Sequence, residues 1–320
     1  MHKTGLLFDQ RYLLHDTGSY HPEVSDRLLA AYKGIKDSEL LSDLILFQAI
    51  PADIRWIETV HDRAYIDRLN DACVSGRKQF DSADCQICAE TYDTAVLAVG
   101  GILRAIRWVM NGKIDNAFCP IRPPGHHAET NQAMGFCYFN NVAIAARYLQ
   151  QEFHIEKVGI IDFDVHHGNG TQHIFEKDPS VFYYSIHQHP SFAYPGTGRE
   201  FEEGSGEGLG FTKNSPVLPG GGDKEYHTLI QQDLVPAFDR FQPDFILVST
   251  GFDAHMDDDM ADMNVTSEGF TWIMSRIVEL ADRHADGRII SVLEGGYSLK
   301  RLPELVGQHV GILLNGAQAG

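Results

Sequence analysis

The chain is short of positive charge: against 44 Asp and Glu it carries 26 Lys and Arg, a formal net charge of −18. Binding to nucleic acid without regard to sequence depends on basic side chains neutralising phosphates, so this balance speaks against a nucleic-acid partner. Such a field suits cationic substrates, and it equally suits an acidic surface that keeps a protein in solution. Cysteine is scarce too. Five in 320 residues, an odd number spread along the chain, argue against a disulfide framework, and the lone Cys85-x-x-Cys88 pair reads as ordinary thiols. No apolar run approaches the roughly 20 residues that span a bilayer, and the opening residues lack the apolar segment of a secretory signal. A cytoplasmic protein with no membrane partner is expected, and a homo-oligomer is compatible with all of this. There is no internal repeat and no low-complexity tract.

What is present is apolar content, 43% of residues, enough for a substantial core, and the length fits one large α/β domain over 1–320. Short runs rich in Val, Ile and Phe at 158–163, 181–186, 245–250 and 289–293 predict strands. Between them, three- and four-residue apolar spacing predicts helices at 25–37, 90–110, 139–152, 224–240 and 267–285. Alternation of this kind predicts a parallel sheet covered on both faces. The Gly- and Pro-rich stretch 188–223 reads as a long ordered loop. Each predicted strand ends in polar residues, and ligands of open α/β sheets bind beyond the carboxyl ends of strands, so these ends should surround one crevice.

The most informative run is Ile160 to Thr171, where Asp162, Asp164 and His166 recur at a spacing of two as an apolar strand gives out. A capped strand end with mutually satisfied polar groups is one reading. The other is a metal site, because burying such groups without an ion or partners is costly. With Asp253 from Gly251-Phe-Asp-Ala254, the residues Asp164 and His166 offer two oxygens and one nitrogen and leave positions open, as a catalytic zinc site does. Zinc brings the pKa of bound water to about 7 and polarises a carbonyl, which points to hydrolysis. His126 and His127 in Arg122-Pro-Pro-Gly-His-His-Ala128 supply candidate acid–base groups, with Asp162 and Asn169 to orient them. A carboxylate raises the proton affinity of its histidine more than an amide does, so the histidine facing Asn169 is the better base. Tyr297, after Glu294-Gly-Gly, is placed to donate to a developing oxyanion. Gly135-Phe136 and Tyr194-Pro195-Gly196 bring aromatics to opposite loops, as walls of a narrow apolar slot.

These motifs, with Asp162-Phe-Asp-Val-His-His-Gly-Asn-Gly-Thr171 and Tyr194-Pro-Gly-Thr-Gly198, together resemble the zinc-dependent histone deacetylase family, including its bacterial amidohydrolase members, in identity and in order. The resemblance runs from about His21 to Tyr297. It implies the arginase/deacetylase fold with an eight-stranded parallel sheet. It also implies Zn2+ on Asp164, His166 and Asp253, His127 as base and acid, His126 as its electrostatic partner, and Tyr297 polarising the acyl carbonyl. Phe136 and Tyr194 would line the acyl-lysine tunnel. A structural K+ or Na+ site is implied at Asp162, Asp164, His166, Ser185 and Ile186, and Asn169 matches the class II pattern where other members have Asp. Substrates are then an acyl-lysine peptide or protein, or an acetylated polyamine. Met260 stands where polyamine-specific relatives can carry glutamate, which favours acyl-lysine. Asp257, Asp258, Asp259 and Asp262 nearby offer attraction to a polyammonium chain, and Asp84 approximates a rim aspartate that binds substrate backbone. An arginase-like ureohydrolase would need more Asp and His ligands for two manganese ions, and this chain has Asp253-Ala-His255 where a second Asp would be expected. A non-catalytic acyl-lysine binder would be expected to lack the tyrosine, a dyad histidine or a metal ligand, and none is missing.

Overall fold

Strands buried on both faces need apolar side chains at successive positions, and the apolar runs pair in this way into one sheet. The computed structural model describes residues 2–317. Its strands are β1 (Thr4–Leu7), β2 (Ile45–Phe47), β3 (Gln79–Phe80), β4 (Ser82–Gln86), β5 (Asn116–Cys119), β6 (Val158–Asp162), β7 (Val181–Gln188), β8 (Thr212–Val217), β9 (Phe245–Thr250) and β10 (Ile289–Leu293). Eight form a sheet in the order β2-β1-β5-β10-β9-β6-β7-β8, and β3 with β4 makes a separate hairpin. Neighbours in the large sheet run parallel throughout.

Successive strand side chains point to opposite faces, so each strand feeds two cores. On β6, Ile160 packs into one core and Ile161 into the other. The first is covered by α2 (Ile54–Ile57), α3 (Arg63–Val74), α4 (Thr91–Met110) and α5 (Asn141–Phe153), and α6 (Asn169–Phe175) borders it. Helices α7 (Asp223–Leu229), α8 (Val235–Phe241), α9 (Ser267–His284) and α10 (Leu302–Asn315) cover the second, together with α1 (Asp26–Asp37). Side chains stop helices from running on at their starts: Asn140 accepts from the Ala143 amide and Thr266 from the Gly269 amide, both at 3.1 Å. At the amino ends of the strands, the turns after α4, α5, α8 and α9 reverse the chain through left-handed residues, Gly112, His154, Gln242 and Gly287.

Two expectations change. The stretch 188–223 is not all loop, since β8 (Thr212–Val217) lies within it. Its sequence Thr-Lys-Asn-Ser-Pro-Val has no apolar run to betray a strand, and it is tolerated because β8 is a sheet edge, where Pro216 need not donate outward. The helix expected over 224–240 is three pieces, with a π-turn at Ile230–Leu234 between α7 and α8. All five cysteines are free thiols, and no helix among the described residues is long and apolar enough to cross a membrane.

Candidate active site

Strand β6 ends at Asp162 and the chain then bends, so the alternating ligands do not stay on one extended face. Asp162 turns to His126, whose Nδ1 lies 3.0 Å from Oδ2, while Tyr183 donates to the same oxygen at 3.0 Å. Asp164 and His166 go elsewhere. With Asp253, from the end of β9, they place their ligating atoms within 4.8 Å of one another. His166 Nδ1 is 3.1 Å from Asp164 Oδ1 and 3.3 Å from Asp253 Oδ2. Backbone amides hold the other oxygens: Gly295 donates to Asp164 Oδ2 at 2.7 Å and Val165 to Asp253 Oδ1 at 3.0 Å.

This donor set fits a divalent zinc ion. Asp253 Oδ2 is buried without a hydrogen-bond partner, a costly arrangement unless a cation completes it. Burial opposes charge on His166, yet the carboxylates of Asp164 and Asp253 beside its ring outweigh burial and hold its pKa up to about 10. The pocket therefore demands positive charge. Burial, with Asp164 beside it, pushes Asp253 up to about 6. A second group of possible ligands, His126, Cys137 and Glu294, fits less well because its members are already engaged. Glu294 Oε2 accepts from the Gly125 amide at 2.6 Å and the His126 amide at 3.2 Å, which pins the histidine loop to the end of β10.

The adjacent histidines have opposite surroundings. Burial disfavours charge on His126, but Asp162 and Asp164 prevail and raise it to about 10. His127 is driven well below the ordinary imidazole value by burial, with His126 and His166 adding to it. Its Nδ1 lies 2.7 Å from Asn169 Oδ1, so Nδ1 is the protonated nitrogen and Nε2 is left free. Asn169 Nδ2 in turn donates to Glu129 Oε1 at 2.5 Å.

Tyr297 stands at the same crevice, its ring under the Arg27 guanidinium at 4.7 Å and 6.1 Å from the Phe136 ring. Burial raises its phenol well above the ordinary range and outweighs Arg27, so it stays a proton donor. Phe136 follows Gly135 with positive φ at both residues, and Asp84 on β4 holds this turn by accepting from the Gly135 amide at 3.0 Å. Tyr194, 42% exposed, packs 5.1 Å from the His127 ring. Ser185 and Ile186 are buried on β7, with Ser185 in register with Asp162. Met260 is half-buried, its amide bonded to Asp258 Oδ1 at 3.1 Å.

The acidic loop is less available than its sequence suggests. Asp258 is buried and accepts from the amides of Tyr297 at 2.6 Å and Ser298 at 2.9 Å, while Asp257 pairs with Arg301 at 2.6 Å. Only Asp259 and Asp262 remain exposed without an ion pair. Sequence reading missed Glu129 and Glu294 as site residues, and the Glu23, Arg27 and Arg122 network beneath. Except for the Glu23–Arg27 pair, four residues apart, their partners lie 40 or more positions off in the chain, where no local spacing marks them.

Comparison with known proteins identifies the family. The model of the histone deacetylase domain matches residues 21–313. A probable deacetylase from Archaeoglobus fulgidus is 38% identical over 300 residues, covering 93% of this chain and 82% of the relative. The histone deacetylase-like amidohydrolase of Pseudomonas aeruginosa is 38% identical over 283 residues, 88% of this chain and 73% of that protein. Among solved structures, the HDA15 HD domain superposes with a TM-score of 0.93 at 34% identity, covering 99% of this chain and 89% of that one. A match over nearly the whole chain, in sequence and in fold, places this protein in the histone deacetylase family of deacetylases and amidohydrolases.

Proposed function

We propose that the protein hydrolyses an acyl amide on the side-chain amine of lysine, releasing acetate or another short acid, with one Zn2+ held by Asp164, His166 and Asp253. The observation that carries the reading is the convergence of Asp164, His166 and Asp253, their ligating atoms within 4.8 Å of one another, beside two histidines of opposite proton affinity. Zinc held there would supply a Lewis acid for the carbonyl and a lowered pKa for the attacking water. His127, neutral and with Nε2 free, takes the proton from the water and passes it to the departing amine. His126, kept positive by Asp162, stabilises negative charge as it develops, and the Tyr297 phenol donates to the carbonyl oxygen. Phe136 and Tyr194 flank the acyl-lysine chain, Gly135 sets the turn that presents Phe136, and Asp84 fastens that turn. We assign a structural K+ or Na+ to Asp162, Asp164, His166, Ser185 and Ile186, where β6 and β7 lie side by side. Unpaired cysteines suit a reducing, cytoplasmic setting.

Acyl-lysine is favoured over polyamine because Met260 brings no charge to the mouth and two of the four loop aspartates are engaged by Arg301 and by backbone amides. The test is a side-by-side assay of zinc-loaded protein on acetyl-lysine peptides and N-acetylated polyamines. Peptides should give the higher kcat/KM. A preference for polyamines would overturn the Met260 argument, and binding of peptide without acetate release would overturn the catalytic reading.

A further inference from the structure

An asparagine beside a catalytic histidine is ambiguous, because its amide can present either the carbonyl oxygen or the NH2 group to the imidazole. Only the carbonyl leaves the far nitrogen free as a base. The wrong tautomer costs on the order of 10⁴ in rate where an amide replaces the carboxylate of a hydrolase triad. We propose that Glu129 is a positioning residue for the reaction, locking the Asn169 amide so that His127 is held as its Nδ1–H tautomer. The inference rests on His127 acting as the base.

The geometry is a relay of short contacts. His127 Nδ1 lies 2.7 Å from Asn169 Oδ1, and Asn169 Nδ2 donates to Glu129 Oε1 at 2.5 Å. The other acceptors near Nδ2 are more distant, His127 O at 3.4 Å and Met134 Sδ at 3.7 Å, so Glu129 is the only short one. Turning the amide over would set Asn169 Oδ1 against the Glu129 carboxylate, two acceptors face to face with no proton between them. Glu129 is itself fixed, since His173 Nδ1 meets the same Oε1 at 2.8 Å. That contact is the largest influence on His173 and raises its proton affinity above the ordinary value. The relay opens on a cavity of about 410 Å³ lined by Glu129, Met134, Asn169, His173, Pro195 and Thr197, apart from the ligands Asp164, His166 and Asp253. The negative charge that an aspartate at 169 would supply thus sits one side chain further out, where it orients the base without raising its proton affinity directly.

The test uses the zinc-loaded full chain with Glu129→Ala, Glu129→Gln and Asn169→Ala. Glu129→Ala should lower kcat about tenfold with KM nearly unchanged, and Glu129→Gln, whose amide oxygen can take the acceptor's place, should recover most of the loss. In an Asn169→Ala background, Glu129→Ala should have no further effect. Long-range proton–nitrogen NMR on histidine-labelled protein should show Nδ1–H at His127 in the parent and a second tautomer in Glu129→Ala. Additive losses in the double variant, an unrescued Glu129→Gln, or an unchanged tautomer in Glu129→Ala would each overturn the proposal. Absence of turnover in the parent would instead strike at the proposed function, while the NMR arm still judges the role of Glu129.

Discussion

At the scale of single residues, the environments of His126 and His127 shift in opposite directions what the sequence presents as two identical letters. Asp162 beside one and an amide beside the other set a cation next to a neutral imidazole, the base of the proposed mechanism. Tyr297 completes the proposed set as a donor. Tyr297→Phe should retain zinc and the stacking of Arg27 on the ring, while kcat falls about 10²- to 10³-fold with little change in KM. Steady-state kinetics alongside metal analysis checks this, and a variant within a few-fold of the parent would remove the phenol from the mechanism. The residues gathered at the candidate site were legible in the sequence because they come in compact motifs such as 162–171 and 122–128. Glu294 was not legible as the anchor of His126, because the hydrogen bond joins residues 168 positions apart. Glu129 was hidden differently: it lies two residues beyond His127, but its role depends on Asn169, 40 residues on.

At the scale of elements, the carboxyl ends of β6, β9 and β10 converge so tightly that the crossing backbone needs glycine. A Cβ on Gly295 would run into the carboxylates of Asp253 and Asp164. Gly295→Ala should therefore lower zinc affinity at least tenfold while the fold survives, read as zinc per protein after dialysis with circular dichroism as the control. Full zinc occupancy would show that the carboxylates have room to move. The buried central strands were legible because burial on both faces demands continuous apolar runs, as in Phe245–Thr250. Edge strands escape that demand. β8, mostly polar and containing Pro216, looked like loop, and the π-turn at 230–234 leaves the apolar spacing of α7 and α8 unbroken and so gave no sign.

At the scale of the whole molecule, a buried ion network ties the amino-terminal segment to the site. Glu23 accepts from Arg122 Nε at 2.5 Å and Nη2 at 2.7 Å and from Arg27 Nη1 at 3.1 Å. Arg27 also donates to the carbonyls of Glu294 and Gly296, beside Tyr297. Burial alone would raise the Glu23 pKa, but Arg122 and Arg27 outweigh it and hold the carboxyl below its usual 4.5. A lowered folded pKa gives stability that is present above pH 4.5 and lost as pH falls through the folded value. Glu23→Gln strands two buried guanidinium groups and should cost about 3–5 kcal/mol at neutral pH. The gap between variant and parent should close progressively in acid below pH 4.5, as urea unfolding at a series of pH values would reveal. A gap independent of pH would mean that folding leaves the pKa of the carboxyl at its unfolded value. One consequence follows from how lopsided the sheet is: every reacting group hangs from the carboxyl ends of the strands, and the reversals at Gly112, His154, Gln242 and Gly287 sit at the opposite pole. A surface linker or fused reporter attached at those reversals would anchor the enzyme to a support with its mouth facing the medium.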